Sequence, residues 1–307
     1  MSAPSDEPRP VLLLDAFSLF YRAMHALPPM STRAGVPTAG LYGLSVLLLK
    51  LFREQRPLGG TFALDLPEPT FRHTGFEGYK QGRSEAPRPE GAREQLERLP
   101  SLIQASGLAA LSSPGFEADD VLATLARELA ERGQRPLVVS GDRDCFQTVK
   151  GPARMLYVAR GVEATLYDEA AVVARYALSP ALLPDYIALV GDPSDRLPGV
   201  AGIGPRIAAR LLQRFGSIAA LVAQIDAVDP PRIREALRPH LERLVFFRDL
   251  AALRDDVPLA PGPRFRPLDT EGLSRIFAEL EFTSLLPRLT ALAALAAQRD
   301  DVRPAAA

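Results

Sequence analysis

Three short apolar runs each end on an aspartate, and this pattern narrows the fold more than any other feature of the chain. Val11-Leu12-Leu13-Leu14 is closed by Asp15, Thr61-Phe62-Ala63-Leu64 by Asp65, and Leu137-Val138-Val139-Ser140-Gly141 by Asp142. Such runs read as buried strands, and the helical patterns between them point to an α/β domain with a mostly parallel sheet. In an open parallel sheet ligands bind beyond the carboxyl ends of the strands, so acids at three such ends should converge. Close carboxylates repel one another and take up protons unless a cation neutralises them. Mg²⁺ or Mn²⁺, hard ions that prefer oxygen, suit that site. With Glu117, Asp119, Asp120, Asp144, Asp192 and Asp195, nine acids become candidate ligands. The residues point to a metal-dependent enzyme acting on phosphate.

The remaining pattern divides the chain. Helices are expected over Ser18–Ala26, Thr38–Arg53, Gly91–Ser106 and Glu117–Arg132, with a strand at Leu108–Leu111 and a late strand pair at Met155–Val158 and Ala164–Tyr167. Asp168 looks like an N-cap, its carboxylate taking an orphan backbone N–H. Between Pro67 and Pro89 the periodicity dissolves into a polar stretch of the kind that is functional or disordered. After about residue 178 strands nearly stop. Helices are expected at Pro184–Val190, Ile207–Arg214, Ile218–Ile225, Pro231–Ala251, Thr270–Glu281 and Thr283–Ala297. The expected organisation is therefore a core over 1–178, a helical region over 179–297 and a frayed tail over 298–307.

Composition excludes several classes. One cysteine in 307 residues rules out an internal disulfide framework and fits a reducing compartment. The polar, proline-rich start lacks the pattern of a signal peptide. The longest apolar stretch, Leu41–Phe52, is broken by Ser45 and Lys50 and is too short to span a bilayer. A cytoplasmic, monomeric protein is expected. The net charge of −1 does not suggest a nucleic-acid binder, but an acidic pocket can mask basic patches elsewhere.

Five local motifs carry chemistry. Gly115-Phe116-Glu117-Ala118-Asp119-Asp120 opens a helix with three acids in four positions, more than capping needs. Glu117 and Asp120, three apart, could reach a shared ion. Gly141-Asp142-Arg143-Asp144 and Gly191-Asp192-Pro193-Ser194-Asp195 each place two acids in a turn. Gly199-Val200-Ala201-Gly202-Ile203-Gly204 then leads into a helix bearing Arg206, Arg210 and Arg214, with no acids from Arg196 to Ile225. A glycine hairpin before a helix exposes N–H groups to phosphate. This spacing matches the helix-hairpin-helix element that grips a duplex backbone without reading sequence, and its carbonyls could hold K⁺. Phe71-Arg72-His73 and Tyr79-Lys80-Gln81-Gly82-Arg83 set cations beside aromatics, which suits a phosphate strand with a stacked base. Cys145 reads as a small core residue, and scattered His25, His73 and His240 make no zinc site.

Taken together, these motifs resemble the 5′-nuclease family, which comprises the 5′→3′ exonuclease domain of bacterial DNA polymerase I and the flap endonucleases. The likeness runs from about Val11 to Leu292. It implies a PIN-like core, an arch or clamp near residues 70–95 and a helix-three-turn-helix module near 184–225. It assigns one metal group to Asp15, Asp65, Glu117 and Asp119, with Asp120, Asp142, Asp144, Asp192 and Asp195 completing a second or reaching it through water. Lys80 and Arg83 match arch cations near the scissile phosphate. Tyr21 and Tyr79 match positions that stack a terminal base, and Arg72, Gly199, Gly202, Gly204, Arg206 and Arg210 join them as expected DNA contacts. The implied reaction is two-ion hydrolysis of DNA with 5′ ends, flaps or nicks, or of RNA–DNA hybrids, by a free-standing enzyme without a polymerase domain. Arg196, where polymerase-type members usually carry Asn, and Pro205-Arg206, in place of the usual pair after the glycines, depart from the pattern. The main rival is a catalytically silent DNA binder on the same scaffold. A haloacid-dehalogenase phosphatase needs an acid where Phe17 stands, and PIN-type ribonucleases lack the glycine hairpin.

Overall fold

The computed structural model describes residues 8–82, 89–161, 163–260 and 265–300. Its centre is a six-stranded sheet in the order β3-β2-β1-β4-β5-β6. Strands β1 (Val11–Asp15), β2 (Gly59–Ala63), β3 (Ala109–Leu111), β4 (Pro136–Ser140) and β5 (Arg154–Arg160) are parallel, and β6 (Glu163–Tyr167) returns antiparallel. β1, β2 and β4 are buried at every position, which is why they read as unbroken apolar runs. Side chains of β1 alternate between two cores. Leu12 and Leu14 pack on one face, while Val11 and Leu13 pack on the other with Val121, Leu122 and Leu125.

The helices in chain order are α1 (Ala16–Ala26), α2 (Ala39–Gln55), α3 (Phe71–Gly75), α4 (Ala92–Ser106), α5 (Ala118–Glu131), α6 (Glu169–Tyr176), α7 (Leu183–Val190), α8 (Pro205–Phe215), α9 (Ile218–Ala223), α10 (Pro231–Leu237), α11 (Leu241–Ala251), α12 (Thr270–Glu279) and α13 (Leu286–Asp300). Asp15 caps α1 by accepting the Ser18 N–H, and Asp168 caps α6 by accepting that of Ala171. Helices α7, α8, α9 and α11 enclose a separate core around Leu189, Ala208, Leu212, Leu221 and Leu244.

Three expectations are revised. The single helix expected over Pro231–Ala251 is two, joined by a 3-10 turn at Arg238–His240, because Pro239 cannot donate to a continuing ladder. The polar Pro67–Pro89 stretch contains the short helix α3, held by bonds to distant parts of the chain; residues 83–88 lie outside the described residues. Finally, α12 and α13, expected with the helical region, return to the sheet. Leu273 and Phe277 of α12 and Leu289 of α13 share a cluster with Leu12, Leu14 and Leu99. Helix α13 also continues through 298–300, so the expected tail begins no earlier than residue 301, beyond the described residues.

Candidate metal centre

Asp15 ends β1 and is 4% exposed. Its two oxygens accept the Ser18 N–H at 3.0 Å and the Ser140 hydroxyl at 2.6 Å. Ser140, the last residue of β4, also accepts the Asp142 N–H at 2.9 Å, so one hydroxyl sets two neighbouring acids. Arg22 fixes the same corner, donating to the carbonyls of Gly141 and Ala159. Asp65 follows β2 and accepts the Ala118 N–H at 2.8 Å, locking the start of α5 against that strand end. Helix α5 then delivers Asp119 inward, where its Oδ1 accepts the Cys145 thiol at 3.1 Å. One ligand atom from each of Asp15, Asp119 and Cys145 lies within 4.8 Å of the others.

Asp15 and Asp119 are short of positive charge. Among the described residues, no lysine or arginine pairs with Asp15 or Asp119. Burial, reinforced by Asp65 and Asp142, pushes the Asp15 carboxyl up to about 7 despite the Ser140 bond. Burial and the charges of Asp142 and Asp15 raise Asp119 well above the usual carboxylate range. Asp144, on the 3-10 turn Asp144–Thr148, is raised by burial and by Asp142, Asp195 and Asp192. Such a set must hold protons or a cation. An oxygen-rich, desolvated pocket of this kind fits a divalent ion.

A second group is neutralised from within the chain. Glu117 accepts Lys80 Nζ at 2.9 Å on one oxygen, and the Tyr79 hydroxyl at 2.8 Å and Arg72 at 3.2 Å on the other. Burial alone would raise Glu117, but Lys80 and Arg72 hold it below the usual range. Tyr79 also donates to Asp195 at 2.8 Å, and Lys80 Nζ stands 3.7 Å from that carboxylate. Burial outweighs Lys80 at Asp195 and raises it. Asp192 is turned toward its own loop, accepting the Ser194 N–H and hydroxyl.

Three residues expected on metal or DNA are bonded within the protein in this structure. Asp120 does not face the cluster. It is fully buried, and its two oxygens take four donors: both Arg72 terminal nitrogens, the Arg254 N–H and the Glu117 N–H. Those bonds occupy the lone pairs a metal would need. Arg72, expected on DNA, is 2% exposed, and its remaining bonds go to Glu117 and to the carbonyls of Leu250 and Ala252. Tyr79, expected to stack a base, is 3% exposed with its hydroxyl committed to two acids. Tyr21 is half-buried beside Phe20, and Arg83 lies outside the described residues. Ser140 and Cys145 belong to the site although sequence reasoning does not single them out as such. The only local signal is their position flanking Gly141–Asp144.

The glycine hairpin lies between α7 and α8. Gly199 has a positive φ of 62°, and a side chain there would run into the backbone of Val190. Gly202, with φ 84°, faces open space. Arg206 and Arg210 are exposed on α8, whose other face buries Ala208, Ala209, Leu211 and Leu212.

A buried parallel sheet with carboxylates at its strand ends, followed by a glycine hairpin on a helical module, defines an α/β domain whose acidic edge could hold a metal ion. Family models agree over nearly the whole chain. Residues 10–177 match the 5′–3′ exonuclease N-terminal resolvase-like domain, and residues 178–269 match the 5′–3′ exonuclease C-terminal SAM fold. The chain belongs to the 5′–3′ exonuclease family, a family of hydrolytic nucleases. It is 42% identical over 296 residues to DNA polymerase I of Mycobacterium bovis, covering 94% of this chain and 32% of that protein. Thermostable DNA polymerase I of Thermus thermophilus is 39% identical over 277 residues, covering 90% and 32%. The chain thus spans about a third of the length of these relatives. The fold is also that of the T5 5′-exonuclease solved with divalent zinc ions, with TM-score 0.67 and 17% identity over 92% of this chain and 98% of that one. Human GEN1 in complex with Holliday junction DNA gives TM-score 0.63 and 14% identity, over 97% and 76%. No helix among the described residues is long and apolar enough to cross a membrane.

Proposed function

We propose that the chain is a divalent-metal-dependent 5′→3′ exonuclease and structure-specific 5′-flap endonuclease that hydrolyses phosphodiesters in DNA during replication and repair. The observation that carries this reading is the pairing of two crowded, buried acids, Asp15 and Asp119, at the strand-end site with an exposed hairpin and basic helix on the same chain. Asp15, Asp65, Asp119, Asp142 and Asp144 would hold Mg²⁺ or Mn²⁺, two ions in all, with Glu117, Asp192 and Asp195 supporting the second. When bound, such ions activate water as a nucleophile and stabilise the leaving oxygen. Lys80, already within 2.9 Å of Glu117, supplies a cation where charge develops on the phosphoryl oxygens. Arg83 is its expected partner. Tyr79 and Arg72 act on substrate only indirectly, by holding Glu117 and Asp195 in register.

The hairpin N–H groups around Gly202 and Gly204, with Arg206 and Arg210, would grip the duplex backbone through phosphate, K⁺ at the hairpin assisting. Its separation from the acids in sequence divides the labour: α8 binds, the sheet edge cuts. DNA with 5′ ends, flaps or nicks is the expected substrate, and RNA–DNA hybrids are the alternative partner. A cleavage assay on flap, nicked, gapped and hybrid substrates, with Mg²⁺ against Mn²⁺ and with chelator, tests this directly. Metal-dependent release from a 5′ end supports it; duplex binding with no cleavage in either metal would leave only the silent-binder reading.

A further inference from the structure

Arg143, inside the Gly141–Asp144 turn, has no part in the reading above. Its neighbours Asp142 and Asp144 belong to the acid edge, but its own side chain is exposed and bonds the Tyr157 hydroxyl at 3.4 Å. Arg175, in the last turn of α6, reaches the same place from another element. Its guanidinium lies 5.6–5.8 Å from the ring centroids of Phe146, Tyr157, Tyr167 and Tyr176, and it donates to the Tyr167 hydroxyl at 2.9 Å. Tyr186 of α7 stands edge-on to Tyr176 at 5.6 Å, so four of the seven tyrosines gather here. Among the described residues no carboxylate pairs with Arg143 or Arg175. The Tyr157 bond strengthens the hold of Arg143 on its proton, and the nearby Arg175 charge opposes it.

A helix C-terminus favours one cation, which accounts for Arg175. It does not account for a second guanidinium brought up against that charge. Two planar forks fixed on phenol rings, with no acid to neutralise them, match the oxygens of phosphate. Half-buried rings beside them suit a stacked base. We propose that Arg143 and Arg175, on their tyrosine bed, form a second phosphate clamp for a polynucleotide strand, set between the acid edge and the glycine hairpin. The proposal rests on the reading that the chain acts on DNA. Its position favours a strand over a free anion. Arg143 is tied by the backbone to two acids of the strand-end site, while the rings of Phe146, Tyr176 and Tyr186 run from the turn after Asp144 to α7, whose end opens the hairpin. A backbone gripped at the hairpin and cut at the acids crosses this interval.

Anisotropy titration of a fluorescent flap duplex with the full chain, in chelator and over a range of salt, reads binding apart from cleavage. Arg143→Gln and Arg175→Gln should each weaken binding and lower the slope of log K against log salt by about 0.9, the value of one phosphate. Arg143→Lys should restore the slope, because charge carries it. Loss of a merely structural bond would move the melting temperature and leave the slope alone. Affinity and slope equal to wild type in Arg143→Gln overturn the clamp; the hairpin reading then stands if Arg206→Ala with Arg210→Ala still weakens binding. A wild-type chain that binds no flap duplex overturns both. The one bond of Arg143 among the described residues is the long contact with Tyr157, so its variant decides the matter even if Arg175→Gln folds poorly.

Discussion

At the scale of single residues, Asp119 and Asp120 are neighbours in one helix turn with opposite duties. Asp119 sits in a cluster where like charges crowd it; Asp120 sits in a closed bond set around Arg72. Removing one partner of a buried ion pair leaves the other uncompensated, at about 3–5 kcal/mol. Asp120→Ala should therefore lower unfolding free energy by about that amount in a denaturant titration. Asp119→Asn removes a repelled charge, so in metal-free solution its stability should equal or exceed wild type while cleavage is abolished. Equal destabilisation of both variants would contradict the assignment. Lys80→Ala should act on the chemical step, lowering kcat by about 10²–10³ with duplex affinity little changed, as single-turnover kinetics and binding titrations would show. Sequence alone does not separate the two aspartates. Both follow an expected helix start, and which one turns inward is decided by Arg72, 48 residues away, and by the Leu250 carbonyl that holds Arg72 from 178 residues away.

At the scale of elements, the hairpin and α8 form a unit whose shape depends on a close backbone approach. Gly199 lies against Val190 with a positive φ, so Gly199→Ala should cost about 1–3 kcal/mol through overpacking and strain, read by thermal or denaturant unfolding. On the exposed face, Arg206→Ala with Arg210→Ala should weaken duplex binding across sequences. The slope of log K against log salt should fall by about 0.9 for each phosphate no longer neutralised. A binding constant unchanged in both magnitude and salt dependence would place the duplex elsewhere. The hairpin is legible in the sequence because its glycine spacing is a local requirement of the turn. The strands are legible for a similar reason: burial on both faces leaves an unbroken apolar run, as in β1 and β4. Helix α3 is not, because its five residues carry no periodicity and are held by long-range bonds from Arg72. Cys145 is opaque for the complementary reason. Its residue type marks it as core, which it is, and only the fold shows that its sulfur lies beside Asp119 and Asp15.

At the scale of the whole molecule, the sheet order brings β1 between β2 and β4, so the acids following those three strands must share one edge. That convergence links metal, pH and stability. The Asp15 carboxyl is raised in the folded chain from 3.8 to about 7, so the native state binds its proton more strongly than the unfolded state does. The resulting stabilisation is complete below about pH 4 and fades as pH rises toward about 7. A divalent ion replaces that proton. The rise in Tm on adding Mn²⁺ should therefore be small near about pH 5.5 and larger near about pH 8, and Asp15→Asn should flatten the difference. A metal-induced shift independent of pH would contradict the coupling. The central claim, that distant strand ends gather their carboxylates into one cation site, is tested most directly by anomalous diffraction from a manganese-soaked crystal. The account predicts a manganese peak bound by both Asp15 and Asp119, with Asp120 still bonded to Arg72. Manganese absent from that edge of the sheet, or bound by Asp120 with Arg72 displaced, would contradict it.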